Sequence, residues 1–328
     1  MFNISNLFSN AKFDSKLIEK AWRESKLEDI IMHYSNFNWN TVSLNDMNNF
    51  ACGGTILTAL LFSGEGKEAY EIAKKYNLFR YHNNDTYVLP LSYLRYEFDE
   101  LIRFIENNFE NLIFVEPNNF SVPQSKIDIY GNYPEFINGK RFAESIIDEN
   151  KIKDIVKYLF ELTFFKNDIN AANALGQAFA GAGDDLFSFA TYLKCINLCP
   201  NNAVYWGTAG IILNNAKLSF VSLYFLSRAI KLDKNNPEWY LRKAATYHNI
   251  LLRFSDLWQE NPNIRSVYAG GLFTQLSKNL HSAQIYVNNN TPKIITNLIN
   301  ELSSAEKFWI NEISTKPLMD LINSRGKQ

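Results

Sequence analysis

Residue types that mark several protein classes are scarce in this chain of 328 residues. Three cysteines, an odd number, are too few for a disulfide framework and favour a reducing compartment. Lys and Arg number 33 against 34 Asp and Glu, which excludes a broad basic surface for nucleic acid. With only 14 Gly and 9 Pro beside long periodic segments, the chain is expected to be helical rather than β-rich.

Long apolar runs are missing as well. The longest stretches, at 55–62 and 159–165, fall far short of the roughly 20 residues that span a bilayer. The segment Met1–Phe8 has no basic region, no continuous apolar stretch and no small-residue cleavage site, so a secretory signal is not expected. We therefore expect a cytoplasmic protein with no membrane span.

What the sequence does contain is a period of 34 residues. Sliding the chain by this distance from Ile169 places Gly176 on Gly210 and Ser188 on Ser222, and the pair at 201–202 returns as Asn235-Asn236. Small residues that return at fixed places predict helices that cross closely, because a Cβ at the crossing would hold them apart. The larger matched residues, expected to fill the gaps between helices, are Phe179, Tyr192, Trp206, Leu213 and Leu226.

This period and pattern resemble the tetratricopeptide repeat (TPR), a helix–turn–helix unit of 34 residues. The resemblance covers about two and a half repeats over 169–260: Ile169–Asn202, Ala203–Asn236 and a partial unit from Pro237. It departs from the family where Ala172 stands in the place of Trp206 and where Lys234 replaces the proline seen at Pro200. The implied fold is all-α, a TPR-like α-solenoid of antiparallel helix pairs, with a less regular section near 112–142.

The resemblance also implies a binding surface, because in this family the first helices of successive units line a concave groove for a peptide or a helix. The matching positions carry mostly neutral amides and one clear cation, which disfavours the carboxylate clamp of the members that bind an acidic chaperone C-terminus. The partner-binding residues expected here are Asn170, Asn173, Gln177, Thr208, Asn214, Glu238 and Arg242. The alternative is that the repeats are purely structural and the binding face lies elsewhere.

Outside the repeats, periodicity predicts further helices over about 14–34, 93–109, 148–165, 238–258, 272–287 and 292–313. The expected domains are an N-terminal helical region at 1–111 and an irregular connector at 112–147. They continue with TPR-like repeats at 148–270 and C-terminal helices at 271–328, which are expected to cap the array. A degenerate repeat is expected at 53–79, with Ala69 as its small crossing residue.

Candidates for chemistry are weak. The glycines at 176, 181 and 183 resemble a phosphate loop, but such a loop follows a strand, whereas these fall inside a helical hairpin. The segment Gly64–Lys67 resembles the end of a P-loop, but Glu68 stands where the magnesium-binding Ser or Thr should be. Cys195 and Cys199 share a helix face without two further ligands, so no metal and no cofactor are predicted.

We therefore expect a non-enzymatic, cytoplasmic scaffold that binds a protein or peptide, with an immunity or chaperone-like protein that caps one cognate partner as a special case. The rival interpretation is an enzyme, for example a transferase, whose site lies in the irregular N-terminal half with the repeats as an auxiliary module. That site would draw on Asp128, Tyr130, Tyr133 and Glu135. The sequence leaves the oligomeric state open.

Overall fold

The computed structural model describes residues 15–24, 26–43, 45–81, 89–109, 158–260, 262–289 and 291–315. Within these ranges the chain forms helices and no strand, with one isolated bridge between Ser43 and Asp46. The prediction of an all-α fold built from paired helices is confirmed. The helices are α1 Ser15–Arg23, α2 Leu27–Ile31, α3 Met47–Ser63, α4 Gly66–Lys75, α5 Leu89–Asn108, α6 Ile169–Gly181, α7 Asp185–Leu198, α8 Ala203–Asn215, α9 Ser219–Leu232, α10 Pro237–Glu260, α11 Pro262–Tyr286 and α12 Lys293–Thr315.

The chain divides into two compact units. The first unit combines Met1–Tyr96 with Tyr240–Gln328, and the second is Glu97–Trp239. A further helical segment at 158–164 belongs to the second unit. The connector at 112–147 lies outside the described residues, so the domain boundaries expected from the sequence stay a prediction.

The 34-residue period is visible in the helix boundaries of the second unit. Helices α6 and α8 have 13 residues each and begin 34 residues apart, at Ile169 and Ala203. Helices α7 and α9 have 14 residues each and begin at the same spacing, at Asp185 and Ser219. Helix α10 starts at Pro237, again in register, but it runs for 24 residues, so the repeat ends there.

Matched small residues lie where the two helices of each pair cross. The Ser188 hydroxyl donates to the Gly176 carbonyl at 2.7 Å, and the Ser222 hydroxyl donates to the Gly210 carbonyl at the same distance. A Cβ added to Gly176 would lie 2.6 Å from Thr191 Oγ1, and one added to Gly210 would lie 2.7 Å from Leu226 Cγ. The prediction that both glycines sit at helix crossings is confirmed.

The turns and caps repeat in the same register. Gly183 and Lys217 precede α7 and α9 with φ values of +79° and +64°, so the lysine adopts the left-handed conformation that glycine takes more easily. The side chains of Asp168, Asn202 and Asn236 each accept a backbone N–H at the start of α6, α8 and α10. These short polar residues satisfy amide groups that the first helical turn leaves without a partner.

A buried carboxylate caps helix α9 from a distant part of the second unit. The residue before this helix is Leu218, which offers no capping side chain. Instead Glu97, fully buried, accepts the backbone N–H groups of Phe220 at 2.7 Å and Val221 at 3.1 Å. A negative charge at a helix N-terminus is favourable because the amide dipoles point their positive ends there.

The first unit packs its helices around aromatic and aliphatic residues. Trp22, Phe62 and Tyr268 meet with ring centroids 5.9 to 6.5 Å apart. Lys243 donates to the carbonyl of Ser63 at 2.8 Å, and the hydroxyl of Tyr247 donates to the carbonyl of Phe62. These two side chains of α10 thereby satisfy carbonyl groups at the C-terminal end of α3.

The helix expected from Asp14 to about Tyr34 is wrong in its extent, because the chain forms α1 and α2 with a turn between them. At about 100° per residue, a straight helix would place Leu27 on the face opposite Ile18. The break allows both side chains to be buried, at 2% and 0% exposure. The helix expected from Leu272 likewise begins earlier, at Pro262, since proline is well suited to the first turn of a helix.

Candidate functional site

The expected binding residues fall on the first helices of the repeats. Asn170, Asn173 and Gln177 lie on α6 with spacings of three and four residues, which places them along one side of the helix. Thr208 and Asn214 lie on α8. Glu238 lies in the first turn of α10 in the second unit, whereas Arg242 belongs to the first unit.

The amides of α6 form a small network with a tyrosine of the paired helix. The hydroxyl of Tyr192 on α7 donates to Oδ1 of Asn173 at 3.2 Å. The Gln177 side chain also hydrogen-bonds to the Tyr192 hydroxyl. Burial raises the pKa of Tyr192, so its hydroxyl stays protonated at physiological pH. The network fixes two of the predicted residues, and each amide keeps further donor and acceptor capacity.

The two predicted residues on α8 differ in their surroundings. Asn214 Oδ1 accepts the hydroxyl of Ser219 at 3.3 Å, so this amide bridges the turn between α8 and α9. Thr208 is half-buried on α8, and Val204, one turn nearer the N-terminus, is 53% exposed. At Val204 the accessible side of α8 therefore presents an apolar side chain where the matched position of α6 presents the amide of Asn170.

Sequence reasoning missed a packing feature next to Thr208. A Cβ on Gly207 would lie 2.3 Å from the ring of Trp239, which is buried in the first turn of α10. Successive first helices are therefore direct neighbours at this point. The available signal was that Asn173 lands on Gly207 when the chain is shifted by 34 residues.

The two charged residues of the expected site take part in local structure. The backbone N–H of Glu238 donates to Oδ1 of Asn236 at 3.0 Å, and both residues are half-buried. The backbone carbonyl of Arg242 accepts the hydroxyl of Thr246 at 2.9 Å. Glu238 belongs to the second unit and Arg242 to the first. That the seven expected residues form one binding surface stays a prediction.

Helices α6 and α8 carry no Asp, Glu, Lys, Arg or His in their 13 residues each. Burial does not account for this composition, because only four residues of α6 and six of α8 are buried. Helix α3 is also uncharged, but ten of its 17 residues are buried. The paired helices α7 and α9 do carry charges, at Asp185, Lys194, Arg228 and Lys231.

The other candidates for chemistry find no support in the described residues. The glycines at 176, 181 and 183 lie in the helical hairpin α6–α7, and Gly64–Lys67 joins α3 to α4, so neither follows a strand. Cys195 is fully buried, and this burial raises its pKa, which opposes thiolate chemistry. No group of three or more potential metal ligands occurs among the described residues. The acidic and tyrosine residues at 128–135, on which the enzyme interpretation depends, lie outside them.

His248 on α10 makes one specific contact in the first unit. Its Nδ1 accepts the indole N–H of Trp309 on α12 at 2.9 Å, and burial lowers the pKa of His248. The neutral imidazole is therefore the form that fits this contact. The histidine links two helices and has no nucleophile as its partner in this contact.

Comparisons with known proteins place few constraints on this chain. No protein-family model matches it, and a search of curated proteins finds no relative. Among solved structures, the TPR2AB-domain:pHSP90 complex of yeast Sti1 matches over 89% of this chain and 96% of that chain, with 14% sequence identity and a TM-score of 0.35. A TM-score of this size assigns no function. The helices of the described residues include none with the length and hydropathy of a membrane span.

Proposed function

We propose that this chain is a non-enzymatic scaffold of the TPR-like helical-repeat superfamily that binds a protein or peptide partner. The proposed surface is formed by the first helices of the repeats, α6 and α8, with Asn170, Asn173, Gln177, Thr208 and Asn214. We further propose that Glu238 and Arg242 extend this surface and that the protein acts in the cytoplasm.

The repeated hairpin geometry is the observation that supports this proposal. Helices α6 and α8 have the same length, the same small-residue crossing and the same spacing from their partners, so they present equivalent sides. The side chains at these sides are partly exposed amides and apolar groups. Amides pair well with the backbone of an extended segment, and apolar side chains provide pockets for its side chains.

The test is affinity capture from native lysate with full-length protein in wild-type and variant forms. Asn173→Ala removes an amide from the proposed surface, and Arg242→Ala removes its cation. Tyr192→Phe is the matched control, because it removes the internal hydrogen bonds of the Tyr192 hydroxyl while leaving the Asn173 and Gln177 amides in place. We expect a partner that Asn173→Ala and Arg242→Ala lose and Tyr192→Phe retains.

Two results would count against this assignment. A partner retained equally by all variants would place the binding surface elsewhere. A partner lost equally with Asn173→Ala and Tyr192→Phe would indicate that the network stabilises the fold and does not contact the partner. Circular dichroism of each variant separates loss of binding from loss of structure.

A further inference from the structure

The partly exposed sides of α6 and α8 lack charge to an unusual degree. A chain in which 20% of residues are charged would place about five charges in two helices of this length. None is present, and most of α6 is not buried. Surface helices of soluble proteins normally carry charged residues on their solvent side, whereas the centres of protein interfaces are depleted in charge.

The exposed groups on these helices are of two kinds. Gln177 is exposed and Asn170 is half-buried, and both present amides on α6. On α8, Val204 is 53% exposed and Ile211 is half-buried, and these are the residues that correspond to Asn170 and Gln177 after a shift of 34. At these two matched positions α6 therefore carries amides and α8 carries apolar side chains.

The neutrality of this face limits what it can bind. A ligand carboxylate or ammonium group would lose water on docking and gain no opposite charge from α6 or α8, which is unfavourable. Neutral peptide groups lose less free energy when they leave water, and the side-chain amides of α6 can replace the hydrogen bonds that these groups made with water. The second helices α7 and α9 carry charges at Asp185, Lys194, Arg228 and Lys231.

We propose that the face formed by α6 and α8 binds an extended, uncharged protein segment that carries small or apolar side chains. The amides of Asn170 and Gln177 bond to the backbone of the segment, and Val204 and Ile211 contact its apolar side chains. This inference rests on the proposed function and names the class of partner. Because α6 and α8 supply no charged side chain, the affinity for a segment held by this face alone should not depend on ionic strength.

The test is selection of a random peptide display library of about 12 residues per peptide on the immobilised full-length chain. We expect the enriched peptides to lack Asp, Glu, Lys and Arg at most positions. A representative enriched peptide should then bind with less than a twofold change in Kd between about 50 and 500 mM NaCl.

Charge variants locate the site. Gln177→Lys and Thr208→Lys each place a cation on the face and should raise the Kd of the representative peptide at least about tenfold. Asn235→Lys, in the exposed turn before α10, adds the same charge elsewhere and should leave binding unchanged.

The possible failures are distinguishable. Enrichment of acidic or basic peptides, with affinity that falls as salt rises and is still sensitive to Gln177→Lys, would overturn the neutral-segment inference and leave the proposed function standing. Enriched peptides that bind all three lysine variants equally would overturn the assignment to this face. No enrichment over an unrelated helical protein would overturn both the inference and the function on which it rests.

Discussion

Adding one methyl group at Gly210 tests the helix crossing on which the repeat depends. In Gly210→Ala the new Cβ would lie 2.7 Å from Leu226 Cγ and 3.2 Å from the backbone nitrogen of Leu226. The second contact is with main chain, so a side-chain rotation alone cannot relieve it. Helices α8 and α9 must separate, and this separation also stretches the hydrogen bond from Ser222 to the Gly210 carbonyl.

The expected magnitude follows from opposing terms. Overpacking of a close contact costs about 1–3 kcal/mol, and a weakened hydrogen bond adds up to about 1 kcal/mol. The higher helix propensity of alanine offsets at most about 1 kcal/mol of this cost. We therefore expect the free energy of unfolding to fall by about 1–3 kcal/mol for Gly210→Ala.

The matched control is Gly181→Ala in the last turn of α6. A Cβ at Gly181 meets no atom within 4 Å, so the same substitution should raise the free energy of unfolding by a few tenths to about 1 kcal/mol. Urea titrations of both full-length variants, followed by far-UV circular dichroism, measure the difference. If Gly210→Ala is as stable as Gly181→Ala, the close crossing of α8 and α9 is wrong.

Three further predictions concern buried polar and titratable groups. Glu97→Ala leaves two buried backbone N–H groups of α9 without an acceptor, so the free energy of unfolding measured in urea should fall by about 2–5 kcal/mol. Glu106→Ala, at an exposed position, is the control, and an effect of Glu97→Ala no larger than that of the control would contradict the cap. Burial lowers the pKa of His248, so the unfolded chain takes up its proton first, and stability should fall as the pH drops below about 6.5 and level off below the folded-state pKa. His248→Gln should reduce this pH dependence in urea titrations at a series of pH values, and an unchanged slope would count against the burial of His248 as its cause. Burial raises the pKa of Cys195, so a thiol reagent at about pH 8 should label it only after unfolding; mass spectrometry that finds this residue labelled in the native chain would contradict its position in the core.

The repeat was accessible from the sequence because its requirements are local and recur at fixed spacing. Each pair needs a glycine on the first helix and a small residue on the second, and Gly176 with Ser188 returns as Gly210 with Ser222. The hydrogen bonds at the two crossings have the same length, as expected when one local solution is used twice.

The candidate site was predictable only in part. The positions of the amides on α6 followed from the register, but their link to Tyr192 did not, because that contact joins residues 19 positions apart on two helices. The shift of Asn173 onto Gly207 was visible, yet only the structure places the Trp239 ring there. Whether the seven predicted residues act together remains a prediction.

By itself the sequence determined the class of the fold and the 34-residue register, because hydrophobic spacing and small crossing residues act between neighbouring segments of the chain. Only the tertiary structure decided how helix ends without a local cap are satisfied. Glu97 reaches the start of α9 across 123 residues, and Lys243 reaches the end of α3 across 180. A buried N–H or carbonyl group can pair with any suitable partner that packing brings near. The sequence therefore carries no periodic signal that identifies the partner.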